Sequence, residues 1–387
     1  MHSIAKSVPS SARQRIPRRE VRRVLMTADA MGGVWTYTVE LARALSTRGV
    51  EIAVATMGAR PSRDQSAELA RLPRTHVFES DFKIEWMDDP WGDVERAGAW
   101  LVDIERGFRP DVVHLNGYVH AALPWEAPVI SVAHSCVLSW WAAVRGVEAP
   151  STWNSYRRFV RRGILAADAV IAPSHAMLAQ IHRWYGKPAL EAVIPNGRDP
   201  RSFGVSKKQA YIFSFGRLWD EAKNISAIDA VARDLEWPVF IAGNSISPAG
   251  DSVHVSNGKM VGPLGPAHLR AWLAAASICA FPARYEPFGL CALEAALSGC
   301  ALVLGDIESL RENWDGAALF VAPEDRIALR DALAELIRKP KLRDDLAKRA
   351  NDHASTFNSN RTASAYLEIY RTVMERHTPG AERLCAS

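Results

Sequence analysis

VRRVLMTADAMGGVWTYTVELARALSTRGVEIAVATMG, Val21 to Gly58, decides how this chain is built. VRRVLMTADA reads as a buried strand and AMGG as the loop that leaves it. WTYTVELARALSTRG then has helical spacing, with Val39, Ala42 and Leu45 on one face and Gly49 closing the helix. EIAVATMG is a second strand, so the stretch is a βαβ unit. DVVHLN, PVISVAH and DAVIAPS read as further strands, each running into polar residues. Short apolar strands alternating with helices predict a parallel sheet covered on both faces.

The same grammar restarts near residue 210. AYIFSFG, WPVFIAG, SICAFPA and ALVLGD read as strands, and ISAIDAVARDL, HLRAWLAAA and LCALEAALSG as helices. Between the halves lies IPNGRDPRSFGVSKKQ, Ile194–Gln209, rich in turn formers and charge. The expectation is a basic, disordered tail over 1–20 and two Rossmann-like domains, 21–199 and 200–358, facing each other across a cleft. A helix over 359–378, in NRTASAYLEIYRTVMERH, packs back across the hinge. Ligands of such folds sit at strand C-termini.

A chain of 387 residues is long enough for about two cores, and 48% hydrophobic with 23% charged residues is ordinary soluble composition. The cysteines (Cys136, Cys279, Cys291, Cys300 and Cys385) form no CxxC pair. They read as reduced thiols of a cytoplasmic protein, with no structural zinc site. A net charge of +4 is too small to point to nucleic acid. The tail has no apolar signal region and no run reaches the ~18 residues that span a bilayer. The helix TWNSYRRFVRRGIL carries Arg157, Arg158, Arg161 and Arg162. It reads either as a solvated basic face or as a peripheral contact with an anionic membrane surface.

The chemistry gathers in two stretches. The loop after AYIFSFG, within SFGRLWDEAKN, places Arg217 and Lys223 where two cations can face a diphosphate, unless Asp220 and Glu221 pair with them. RYEPFGLCALEAALSG, Arg284–Gly299, sets Glu294 in an apolar helix, where a carboxylate loses hydration and needs partners. The first βα loop has Gly32-Gly33 but no GxGxxG, and no GxxxxGK[ST] occurs, which removes the dinucleotide and P-loop readings.

GRLWDEAKN, VIPNGRD and EPFGLCALE, with its Glu-x7-Glu spacing, occur in the order seen in the family-4 retaining glycosyltransferases of the GT-B fold, which the chain resembles over roughly residues 21–375. The resemblance implies a hexosyltransferase-like enzyme of carbohydrate or glycoconjugate biosynthesis. It would move a sugar from a nucleotide diphosphate sugar, its co-substrate, to a glycan, lipid or small-molecule acceptor, with no separate cofactor and no metal. It assigns Glu294 to the ribose hydroxyls, since two carboxylate oxygens suit a vicinal diol. Glu286 goes to the hydroxyls of the donor sugar. The amides of Gly289 and Leu290 lie near sugar or phosphate at a helix start, and Phe288 and Asn196 belong to the donor side through the same motifs. Arg217 and Lys223 then stabilise the leaving diphosphate.

On the other half, Gly32-Gly33 resembles the family's glycine loop beside the diphosphate, or is a plain strand–helix turn. His134, at a strand end, stands where the family often has a histidine near the donor sugar. A lone histidine also reads as structural, and His114 and His120 read that way first. Trp35 and Asn116 are acceptor-side candidates. Ile307 and Ser309 depart from the family's glycines, which puts donor contacts of that loop in question, and Cys291 has no evident role. Two other readings stand beside the transferase: a nucleotide-sugar epimerase of the same fold, and a non-catalytic nucleotide-sugar binding protein.

Overall fold

A computed structural model describes residues 20–247, 250 and 252–377. The tail expected over 1–20 lies outside them except for Glu20, as does Cys385. Seven parallel strands form the first sheet: β1 (Arg23–Asp29), β2 (Glu51–Met57), β3 (Thr75–Glu79), β4 (Val112–Leu115), β5 (Val129–Val132), β6 (Ala169–Ala172) and β7 (Glu191–Val193), in the order β3-β2-β1-β4-β5-β6-β7. Six form the second: β8 (Gln209–Phe215), β9 (Val239–Ala242), β10 (Lys259–Gly262), β11 (Ala276–Phe281), β12 (Ala301–Gly305) and β13 (Leu319–Val321), in the order β10-β9-β8-β11-β12-β13. Each order reverses direction beside its first strand, β1 or β8. The loops leaving the two sides of that point diverge there and open a crevice.

The strands legible in the sequence are the interior ones. Val24, Leu25 and Met26 of β1 and Val129 and Ile130 of β5 are wholly buried, because helices cover both faces of the sheet. The four strands that the sequence does not announce (β3, β7, β10 and β13) are the four sheet edges. They are three to five residues long and mostly half-exposed, so they present no continuous apolar run.

The chain crosses between the halves twice at one place. Arg198 pairs with Asn358 as an isolated parallel bridge, with Arg198 N–H donating to Phe357 (3.1 Å) and Ser359 N–H to Arg198 (3.2 Å). The last helix, Ser359–Arg376, therefore returns to the first half. Ala363, Tyr366, Tyr370 and Val373 join the cluster of Met26, Leu41 and Leu45 between that helix, the sheet and helix Gly33–Ser46.

Candidate functional site

A cleft of about 1960 Å³ separates the two sheets, and both halves line it. Gly32 leaves β1 with φ +67°, and a Cβ there would lie 3.7 Å from Nη1 of Arg217 across the cleft. A Cβ on Gly33 would lie 3.4 Å from Leu290. The glycine loop of the first half thus meets both candidate loops of the second.

On the second half, β8 ends at Phe215 and the following loop turns through Glu221–Lys223. Lys223 Nζ lies 2.6 Å from Oε2 of Glu286, whose Oε1 accepts from the Gly289 amide at 3.2 Å. Burial opposes the charge on Lys223. The Glu286 carboxylate, with Cys291 and Asp220 near it, nevertheless leaves the ammonium above the ordinary lysine range. Gly289 has φ +94° and starts helix Leu290–Leu297. The Ser309 hydroxyl donates to the Glu286 carbonyl, so the departure from glycine at 309 supports the Glu286 backbone. Ile307 packs against the core of the second half. Burial pushes the Cys291 thiol up to about 12, which keeps it protonated at neutral pH.

Arg217 does not stand free. Its Nη2 donates to Asp220 Oδ2 at 2.7 Å, while Trp140 Nε1 of the first half donates to Asp220 Oδ1 at 3.2 Å. Asp220 thus holds the cation from one side and is itself held from the other. Other contacts cross the cleft. Ser139 and the Cys136 amide bond the Tyr285 hydroxyl, Ser174 donates to the Pro287 carbonyl, and Glu312 accepts the amides of His175 and Ala176.

Glu294 is buried, and burial raises its pKa; Glu40 adds to the rise, while Arg198 and Arg270 oppose it. Arg198 Nε lies 3.0 Å from Glu294 Oε1, and Arg198 Nη1 lies 3.1 Å from Glu40 Oε1. Phe288 is buried beside Phe357, and its carbonyl accepts from Asn313, so its side chain belongs to the core. Asn196 is buried and lines the cleft.

In the first half, Asn116 donates through Nδ2 to the Thr27 carbonyl and to Thr38 Oγ1, which turns its Oδ1 toward His134 Nε2 at 2.9 Å. His134 therefore carries its proton on Nε2 and keeps Nδ1 as an acceptor. Burial lowers its pKa to about 3, so the ring is neutral at working pH. Asn116 acts here by orienting that ring. His114 bonds the Tyr370 hydroxyl and His120 the Val94 carbonyl, both structural roles. Trp35 is buried and points its indole N–H at Glu68. Asp29, at the end of β1, is raised to about 6 by burial and lines the same cleft.

Sequence reasoning missed Arg198, Glu40, Trp140 and Asp29 as parts of the site, and read Asp220 as an alternative partner of the two cations, which it is for Arg217. Arg198 stood inside the motif VIPNGRD, and Asp220 lies three residues from its partner. Glu40 and Trp140 carried no signal, because only the fold brings them to the cleft.

Residues 31–202 match the sequence profile described as Glycosyltransferase Family 4, and residues 209–339 that described as Glycosyl transferases group 1. The chain belongs to glycosyltransferase family 4 and has the GT-B fold. A glycogen synthase of Mycobacterium tuberculosis is 27% identical over 389 residues, covering 88% of this chain and 91% of that protein. A D-inositol 3-phosphate glycosyltransferase of Kineococcus radiotolerans is 26% identical over 404 residues, covering 90% and 92%. Among solved structures, sucrose-phosphate synthase from Thermosynechococcus elongatus aligns with a TM-score of 0.75 at 17% identity, over 92% of this chain and all (100%) of that one. Anabaena HepE, solved with UDP-glucose, aligns at 0.73 and 17%, over 90% and 99%. This family-4 protein is thus a glycosyltransferase. Among its described residues no helix is long and apolar enough to cross a membrane.

Proposed function

We propose that this protein transfers a sugar from a nucleotide diphosphate sugar to an acceptor hydroxyl, with retention at the anomeric carbon and without a metal ion. The observation that carries the reading is the meeting of Arg217, Lys223, Glu286 and Glu294 along one wall of the cleft, opposite Gly32 and Gly33, with the Gly289 amide holding Glu286 from behind that wall. Glu294 takes the ribose hydroxyls and Arg217 and Lys223 face the diphosphate. Glu286, positioned by Lys223 and the Gly289 amide, contacts the sugar. His134 Nδ1 accepts from a sugar hydroxyl.

As the anomeric C–O bond breaks, its electron pair passes to the terminal phosphate oxygen, and the two cations stabilise the charge that grows there. The acceptor hydroxyl attacks from the same face, and the leaving phosphate takes its proton. The solved complex of Anabaena HepE with UDP-glucose supports the kind of donor.

The names of the two relatives point to different acceptors, a glucan and an inositol phosphate. The acceptor wall carries Trp86, Trp140, Trp141 and Trp153, whose faces suit sugar rings. It also carries Asp29, Asp64, Glu68 and Glu85, against Arg43 and Arg71, and Arg43 is already paired with Glu40 and Glu68. Such a wall favours an uncharged polyol over a phosphorylated one.

The test is turnover of UDP-, GDP- and ADP-glucose with glucan oligosaccharides and with inositol phosphate, in excess EDTA, with the product read by NMR. One donor should yield an α-linked product on a neutral acceptor, undiminished by chelation. A β-linked product would overturn retention, and activity lost in EDTA and restored by magnesium or manganese would overturn metal independence. Preference for inositol phosphate would reverse the acceptor assignment. Epimerised donor formed without acceptor would replace the transferase reading altogether.

A further inference from the structure

Arg198 sits where the two halves of the chain join. Its backbone staples the two chain crossings of the hinge, through Phe357 and Ser359. Its guanidinium lies over the Phe203 ring, with the charge centre 5.2 Å from the ring centroid. From there it reaches Glu40 of the first half at 3.1 Å and Glu294 of the second at 3.0 Å. Glu40 is fixed in turn by Arg43 at 2.8 Å and by the Asp199 amide at 3.0 Å. All three members of the bridge are largely buried, with side-chain exposures of 13% for Arg198, 6% for Glu40 and 9% for Glu294.

We propose that Arg198 is a positioning residue for nucleotide binding: it orients the Glu294 carboxylate and ties it to Glu40, so that engaging the nucleotide and joining the two halves are one event. This deepens the proposed function and rests on the assignment of Glu294 to the ribose. A buried carboxylate without a cation beside it loses much of its charge at neutral pH, and a protonated acid is a poor acceptor for two hydroxyls. Arg198 Nε–H is buried without a hydrogen bond of its own, and its contact with Glu294 is an ion pair off the N–H axis. The carboxylate lone pairs therefore stay available to a ligand while the charge is balanced. The groups that face Glu294 are Arg198 from the hinge, Glu40 from helix Gly33–Ser46, Arg270 from helix Pro266–Ala275 and the Cys291 thiol of its own helix. Of these, Arg198 is the cation that joins it to the other half.

The test compares wild type, Arg198→Met and Arg198→Lys in two measurements. The first is the carboxyl 13C titration of Glu294 in the free protein, identified by its loss in Glu294→Gln. The second is the affinity for UDP-, GDP- and ADP-glucose between pH 5 and 8.5, where the diphosphate of a nucleotide sugar does not titrate. In Arg198→Met the Glu294 titration should move up by about one pH unit or more, and the acid-side loss of affinity should move with it. On the acid side of both titrations a one-unit shift weakens binding by about tenfold. Arg198→Lys should recover part of both shifts. If Arg198→Met does not fold, Arg198→Lys decides alone: a titration raised above wild type supports the proposal, and an unmoved one overturns it. Weakened binding at every pH, with the Glu294 titration unmoved, would reduce Arg198 to a structural hinge residue and likewise overturn the proposal. A wild type that binds none of the three nucleotide sugars would overturn the donor reading itself, whatever the titration shows.

Discussion

Lys223 and Glu286 lie 63 positions apart in the chain and 2.6 Å apart in space. Each is therefore a candidate for chemistry and a support for the other. Lys223→Ala should lower turnover by about 10²-fold or more through lost stabilisation of the leaving diphosphate. Glu286→Ala should lower it comparably, and the double variant should fall well short of the product of the two. Coupling on the order of 1–3 kcal/mol is expected for residues in contact. Additive losses would show that the pair does not act as a unit. Asp29 makes a prediction of the opposite kind. Its pKa is raised from 3.8 to about 6 by burial, so its ionised form destabilises the fold. The cost is absent below 3.8, builds as the pH rises to about 6 and is complete above it. Asp29→Asn should therefore melt higher than wild type at pH 7.5, by up to about 3 kcal/mol of stability, and match it near pH 4. Thermal unfolding at the two pH values checks this. A gain that persists undiminished in acid would mean that the carboxylate is not the source.

At the scale of elements, the start of helix Leu290–Leu297 is a tightly constrained turn beside the cleft. Gly289 holds φ +94°, which L side chains rarely adopt, and a Cβ there would lie 2.9 Å from Leu310 Cδ2. Its amide also fixes Glu286. Gly289→Ala should cost about 1–2 kcal/mol in stability, lower the melting temperature and depress turnover together. A variant with unchanged melting temperature and full activity would show that the turn accepts a side chain. Helix Asn154–Ala166 shows how a pattern can be legible while its purpose is not. It buries Tyr156, Val160 and Ile164, and it leaves Arg158, Arg161 and Arg162 exposed. Arg157 pairs with Glu148 at 3.6 Å. That is the geometry of a solvated face as much as of a membrane contact.

For the whole molecule, the returning C-terminal helix makes the first half depend on the end of the chain. Tyr366 and Tyr370 are almost wholly buried there, and full burial of a large apolar side chain is worth about 1.5–3 kcal/mol. A fragment ending at residue 199 lacks them and exposes the face of helix Gly33–Ser46 that they cover. Such a fragment should aggregate or lack cooperative unfolding. Supplying residues 355–377 through a flexible linker should restore a sharp thermal transition. Cooperative folding of the fragment alone would show that the helix is dispensable. The hinge is consequently a double crossing stapled at Arg198, and relative movement of the halves must bend both strands of it.

The fold class, the interior strands and the loops that carry the candidate site residues were legible in the order of amino acids. Strands buried on both faces must be runs of apolar residues, and loops at their C-termini must carry the polar groups that the cleft uses. Val24–Met26 and Arg217 stood out for these reasons. The sheet edges did not, because a short half-exposed strand such as Thr75–Glu79 obeys no strong pattern until a neighbour hydrogen-bonds to it. The local pair of Arg217 and Asp220 was readable as an alternative, but the distant pairings emerged with the folded chain alone: Lys223 with Glu286, Asp220 with Trp140, and Arg198 with Glu40 and Glu294. A charge announces in sequence that it needs a partner, since desolvation is costly wherever it is buried. Which partner it takes depends on distances of a few ångströms across a cleft, and chain folding sets those independently of separation in sequence.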